Sequence, residues 1–392
     1  MVGKLLRVTY LPELLCVSGL ILLGVAGWGL LGKYKGLPEA PVVTWRIGDA
    51  ASTVMTEAMD ARFPDMAQWA KAGVRGGIPA HIPGHTRVQP GEDIQAAVDR
   101  VAAEGGGLVQ LVAGTYPLTE ALTMRTNVVV TGAGPELTIL ENRLRTQYPV
   151  EREIVGIRFM QIQNSGIQNL TILSPFVRDL DKKIYQNRFE DNMNGINDLQ
   201  VGHLVMYRAY DCWVDNCRFL YSGSAPIIIS YSSYITMRDN VVDTSFNKGG
   251  NGSGYYMLLS SRYVLCYNET VRNIRHFVIQ NGSGYNVILK GRYEVDVNFH
   301  GEDDGHNLIE DCVVELPAKH MWPPVSYWRR PPGPDNLIYR ITASKGKSKI
   351  LEKGVPCDPL AMYTLKDGSP RAYLYEVAQP TPVTLYPMSG RR

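Results

Sequence analysis

The sequence predicts an all-β fold of short strands stacked in repeated coils, carried behind one membrane-spanning helix. Three observations predict it. Short apolar runs recur about every 22 residues through the middle of the chain, the mark of a repeat architecture. Glycine (38) and tyrosine (22) are abundant and phenylalanine (8) is scarce, which favours many strands and turns with polar-tipped aromatics near the surface. One long uncharged stretch lies close to the start. The 40 basic and 38 acidic residues nearly cancel, so net charge makes no case for a nucleic-acid partner.

Residues 1–13 form a short N-terminal segment. They precede LLCVSGLILLGVAGWGLLG, Leu14 to Gly32, with no charge until Lys33. As a helix this run rises about 28 Å, close to the roughly 30 Å hydrocarbon core. It reads as an uncleaved transmembrane anchor at 14–32. Gly24 and Ala26 could form a small-x-small cleavage site, the rival reading as a signal peptide, although the run is long for one. Cys16 lacks a lipobox-like neighbourhood. Lys4 and Arg7 on one side nearly balance Lys33, Lys35 and Arg46 on the other, so the positive-inside rule does not orient the helix. The size of the remainder favours a single-pass protein with its C-terminal domain periplasmic or extracellular.

Residues 33–85 read as a linker with a short helical patch, ASTVMTEAMDARFPDMAQWAKAG, broken at Pro64. Next comes GEDIQAAVDRVAAEGGGLVQLVAGTYPL, residues 91–118. Ile94, Ala97, Val98, Val101 and Ala102 fall at helical spacing, with Glu92 and Asp93 in the first turn and glycines at the stop, which predicts a helix over 91–104. The strand LVQLV follows at once.

This stretch resembles the opening of pectate-lyase-superfamily proteins, whose first coil reads like GGGxVxLxxGTY. The resemblance covers about thirty residues. It implies that the helix caps the N-terminal end of a right-handed parallel β-helix over residues 86–343, and it implies a carbohydrate ligand. Catalytic motifs do not follow. The Asn-Thr-Asp, Gly-His-Gly and Arg-Ile-Lys of polygalacturonase-like hydrolases are missing, as is the Asp-Pro-His-Asp of C5-epimerase-like proteins. EDDGH only resembles a paired Asp fused to a Gly-His.

The repeats fit that fold. CWVDNCRF (212–219), ITMRDNVV (235–242), VLCYNETV (264–271), NVILKGRY (286–293), NLIEDCVV (307–314) and NLIYRITA (336–343) align, with NVVVTGAG (127–134) and GIQNLTIL (166–173) before them. Strand alternation then assigns the columns. Val214, Met237, Cys266, Ile288 and Ile309 point inward, as do Cys212, Ile235, Val264, Asn286 and Asn307. Asp215, Arg238, Tyr267, Leu289 and Glu310 point outward. Trp213, Thr236, Leu265, Val287 and Leu308 also point outward, yet are largely apolar, so a cover is expected. The C-terminal segment, residues 344–392, is the candidate for packing there.

Longer turns hold PFVRDLDKKIYQNRFEDNMNGIND (175–198), FNKGGNGSG (246–254) and HMWPPVSYWRRPPGP (320–334), the places where such a scaffold would build a site. The basic, aromatic SYWRRPPGPDN reads as an exposed loop tucked by its tryptophan, or as a contact for an anionic polymer or lipid headgroups. Four Asn-x-Ser/Thr triplets start at Asn169, Asn251, Asn268 and Asn281. Asn251 and Asn281, in NGSG contexts, could be glycosylated in a eukaryotic secretory route, but Asn- and Ser-rich coils generate such triplets by chance, which is the favoured reading. Cys217 and Cys312 share a column four coils apart, roughly 19 Å, far beyond disulfide reach. The cysteines therefore read as small buried hydrophobes, and no spacing indicates zinc.

The candidate chemistry centres on HGEDDGHN, His300 to Asn307. His300 aligns one coil after Val278, and Asn298 after His276, which would gather Arg275, His276, Asn298 and His300 near one edge. A β-elimination site on an acidic sugar needs a cation or Ca²⁺ for the uronate and a base for the C5 proton. Arg275 could supply the cation and His276 or His300 the base. Glu302, Asp303 and Asp304 could hold Ca²⁺, and Asp303 or Asp304 could serve a hydrolase as acid. The same residues also make an ordinary polar turn. Tyr234, Tyr263, Tyr285 and His306 form an outward column, either a sugar-binding platform or a stacking ladder. Two functions follow: a membrane-anchored protein that binds or modifies an extracellular polysaccharide as a lyase, hydrolase or epimerase, or a non-catalytic accessory subunit among membrane-protein partners.

Overall fold

A computed structural model describes residues 63–145, 154–180, 199–248, 253–301, 303–317, 324–328, 332–339, 341–344, 363–364, 370–374 and 384–386. Its strands form three sheets of 12, 9 and 8 strands, with parallel pairing between successive coils. One coil illustrates the path. Trp213–Asp215 lies in the first sheet, Arg218–Ser222 in the second and Ile227–Ser230 in the third, before Thr236–Arg238 returns to the first. Each strand pairs with its counterpart one coil away, so the chain is a parallel β-helix.

The inward columns lie where alternation puts them. Trp213, Val214 and Asp215 pair with Thr236, Met237 and Arg238, and the register runs on through Cys266, Ile288 and Ile309. Those interior side chains are fully buried, each contributing about 1.5–3 kcal/mol by leaving water. The second inward column ends as an asparagine ladder. Asn286 Nδ2 donates to Asn307 Oδ1 at 2.9 Å, and Asn307 Nδ2 to Asn336 Oδ1 at 2.8 Å. This satisfies amides that would otherwise be buried at a cost of about 1–3 kcal/mol each.

Left-handed residues make the corners. Asn169, Asn216, Asp239 and Asn268 turn the first sheet into the second at φ 51–57°, a conformation their side chains tolerate. Asp211, Tyr234, Tyr263, Tyr285 and His306 do the same where the third sheet returns to the first. Tyrosine gains nothing locally from that backbone, so the ring stacking described below offsets its cost.

The helix spans Ile94–Ala103, with the Asp93 side chain accepting from Ala96 N at 3.0 Å. Ile94, Ala97, Val98 and Val101 are buried in the same cluster as the coil interior, so the helix closes the N-terminal end of the stack. All four described cysteines, Cys212, Cys217, Cys266 and Cys312, are free and buried.

Among the described residues the outward apolar column is covered by pieces of the expected C-terminal segment and by a second segment that was not expected there. Residues 63–78 run along the first sheet as a strap that includes the helix Met66–Trp69. Phe63, Met66, Trp69, Ala70 and Ala72 pack with Leu265, Val287, Leu308, Leu337 and Tyr339, while Val74 packs on Trp213. Of the C-terminal segment, Leu385 and Tyr386 join that cluster, and the strand Pro370–Leu374 pairs with Asn336–Tyr339. Tyr386 OH donates to Ala72 O at 2.9 Å, tying the two covering pieces together. Gly73 allows the close approach. Its φ is +91°, and a Cβ there would lie 2.8 Å from Thr236 Oγ1.

Among the described residues no helix is long and apolar enough to cross a membrane. The run at 14–32 lies outside them, as do Glu302, Asn251 and most of the insertion at 175–198.

Candidate functional site on the third sheet

The residues VDVNFH, Val295 to His300, alternate with the period of a strand. Val295, Val297 and Phe299 enter the interior cluster. Asp296, Asn298 and His300 therefore share the opposite, outer face of the third sheet. The sheet register differs from the expected one by two residues. Val278 pairs with Asn298, and Gln280 with His300. The cause is a shorter corner. Val271 to Val278 spans seven residues, whereas their partners Tyr293 and Asn298 are five apart.

This corrected register places Asp296 beside His276. His276 Nδ1 lies 2.5 Å from Asp296 Oδ1, and both side chains are buried, at 3% and 0% exposure. Asp296 Oδ2 accepts from Ser326 Oγ at 2.5 Å and from Asn298 Nδ2 at 3.2 Å. Asn298 Nδ2 also donates to Ser326 Oγ at 2.5 Å. A buried carboxylate held by two further donors fixes the imidazole's orientation through Nδ1.

Tyr255 binds the cluster together. Its ring centroid is 5.4 Å from that of His276 and 6.0 Å from that of His300. The Arg275 guanidinium sits over the same ring at 5.7 Å, and Arg275 Nη1 donates to Lys248 O at 2.6 Å. Burial lowers the Lys248 ammonium to about 8. Farther along the outer face, burial also lowers the Arg158 guanidinium below its usual range. The structure thus brings Arg275, His276, Asn298 and His300 together. Tyr255, Asp296 and Ser326 were not among the residues expected from sequence.

Asp303 and Asp304 lie elsewhere. Asp303 is buried in the turn, where it accepts from Gly305 N, Gly333 N, Asn307 Nδ2 and Asn336 Nδ2 at 2.7–3.2 Å. Burial pushes its pKa up, against the lowering by those donors. Asp304 is ion-paired with Arg262. Asp303's two oxygens are thus engaged with donors and Asp304 Oδ2 with Arg262, while Glu302, the third residue expected to hold Ca²⁺, lies outside the described residues.

The aromatic column forms a continuous stack on the first-sheet side. Tyr234 and Tyr263 lie 5.1 Å apart, Tyr263 and Tyr285 5.8 Å, and Tyr285 and His306 4.7 Å, with interplanar angles of 7–17°. The strap engages its length. Arg75 sits 4.6 Å over Tyr234 while its Nε hydrogen-bonds Asp211 at 3.0 Å. Gln68 Oε1 accepts from Tyr263 OH at 3.0 Å, and Asp65 Oδ2 lies 2.8 Å from His306 Nδ1.

No protein-family model matches the chain. No curated protein matches it either. Solved structures similar to it include a pectin methylesterase from Yersinia enterocolitica, at 11% identity and TM-score 0.42, covering 64% of this chain and 90% of that one. PfbA, a surface adhesin of Streptococcus pneumoniae, shows 12% identity and TM-score 0.41, with coverage of 65% and 76%. The tailspike protein of E. coli bacteriophage HK620, in complex with a pentasaccharide, shows 14% identity and TM-score 0.46, with coverage of 66% and 48%. The parallel β-helix rests on this chain's own strand pairing.

Proposed function

We propose that this chain is a membrane-anchored, extracytoplasmic β-helix protein that binds and modifies an acidic polysaccharide on the outer face of its third sheet. The observation that carries this reading is the His276–Asp296 pair beside Tyr255 and Arg275. An oriented imidazole can remove a proton, a guanidinium can neutralise a carboxylate, and an aromatic face suits the C–H surface of a sugar ring. The arrangement favours proton abstraction, as in elimination or epimerisation, over hydrolysis. Hydrolysis asks for two carboxyl groups flanking the scissile bond, whereas Asp296 is engaged with His276 and Ser326, and Asp303 and Asp304 lie in the turn. Anchoring rests on the uncharged run at 14–32.

The test is a panel of uronate polysaccharides assayed for unsaturated products, new reducing ends and proton exchange at C5, wild type against His276→Ala. Unsaturated products or exchange that vanish in the variant support the reading. Absence of all three signals on every polymer would sink the catalytic half of it.

A second reading is a non-catalytic accessory subunit in a membrane or envelope assembly. Two observations favour it: the burial of His276 and Asp296, and the strap lying along the tyrosine column. It predicts saturable binding to a protein or polymer partner with no turnover.

A further inference from the structure

Asn298 carries an asymmetry that the His276–Asp296 pair does not explain. Its side chain is completely buried. The amide orientation is fixed by chemistry: Asp296 Oδ2 only accepts, so the group facing it at 3.2 Å must be the donor Nδ2. Ser326 Oγ, which donates to the same carboxylate oxygen, receives the second Nδ2 hydrogen. Oδ1 consequently turns away from the network, and no donor reaches it among the described residues. A buried acceptor left in that state costs about 1–3 kcal/mol. The side chain stands on the outer face with Val278 one coil before it and Ser326 one coil after it. Along its own strand it is flanked by Asp296 and His300. Val278 has no donor to offer, and Ser326 is already engaged with the carboxylate.

We infer that Asn298 Oδ1 is a specificity-determining acceptor, reading a hydroxyl group of the saccharide that the His276–Asp296 pair addresses. This inference rests on the polysaccharide reading of the same face. Arg275 immediately precedes the neighbouring strand, three residues before Val278, on the order of 10 Å from Asn298 at strand rise. A site that hydrogen-bonds a ligand hydroxyl rejects an analogue that cannot donate there, because its own polar atom is then left unpaired.

The probes are tetramers of galacturonate, mannuronate, guluronate and glucuronate, each free and O-acetylated, titrated by calorimetry against the full chain in detergent. Wild type should bind at least one free tetramer ~10-fold or more tightly than its O-acetylated form. Asn298→Ala should bring that ratio close to one. Asn298→Ser, which keeps a donor for Asp296 without the amide carbonyl, should do the same and guards against a folding defect in the alanine variant. A merely structural role would weaken free and acetylated forms alike, leaving the ratio unchanged in both variants, and that result would overturn this inference while leaving the polysaccharide reading intact. No binding of any tetramer to wild type would overturn both.

Discussion

At the residue scale, the chemistry depends on which polar groups the fold holds in one state. His276 is oriented by Asp296 at 2.5 Å, so His276→Ala is expected to lower any proton-abstraction rate by about 10²–10⁴-fold, read as product formation at saturating polymer. A different pH dependence belongs to Glu269, buried in the coil interior with Asn240 Nδ2 and Tyr256 OH each at 3.0 Å. Burial raises its pKa from 4.5 to about 7. The folded state therefore holds this proton more tightly than the unfolded chain. Stability falls as pH rises from about 4.5 to 7 and is level above that, by on the order of 3 kcal/mol. Denaturant midpoints measured between pH 4 and 8 should show this slope, and Glu269→Gln should flatten it, leaving the share of Glu310, whose pKa burial also raises to about 7. Legibility at this scale was uneven. The alternation of VDVNFH was visible in the sequence and marks Asp296, Asn298 and His300 as sharing a face. Ser326 was not, because it reaches Asp296 across 30 residues that include a long turn.

At the element scale, the coils were the most legible part, since an inward apolar column repeats in every coil and a one-residue slip would expose it. The third-sheet register was less so, because one corner lost two residues and the outward column changes there from the apolar Val205, Ile228, Met257 and Val278 to Asn298. The strap's short helix falls within the helical patch read at 51–73, but its packing on the first sheet was hidden. Its anchors, such as Trp69 Nε1 donating to His306 O at 2.7 Å, lie 237 residues away, and its only helix is the four-residue Met66–Trp69. Gly73→Ala tests it. The added Cβ would crowd Thr236 and Leu265 at a positive φ, for an expected cost of about 1–3 kcal/mol. Limited proteolysis should then cut first within residues 63–78. An unchanged denaturation midpoint and unchanged cleavage would show that the strap contributes little. Release of the strap should leave the third-sheet site working, because that site lies on a different face of the stack.

At the scale of the whole molecule, a tethered solenoid would present one long face to a polymer, with chemistry concentrated near a single coil. The tether is a separate claim. A chain lacking residues 1–32 is expected to move from the membrane to the soluble fraction, read by fractionation, since the uncharged run at 14–32 carries the proposed anchoring. The central claim is that the outer face of the third sheet takes an acidic saccharide, and a binding titration addresses it most directly. Full-length protein should bind at least one uronate tetramer saturably, and Arg275→Ala should weaken that binding ~10-fold or more, as loss of a charge-assisted hydrogen bond implies. Equal affinity in wild type and Arg275→Ala, or no saturable binding to any member of the panel, would contradict it.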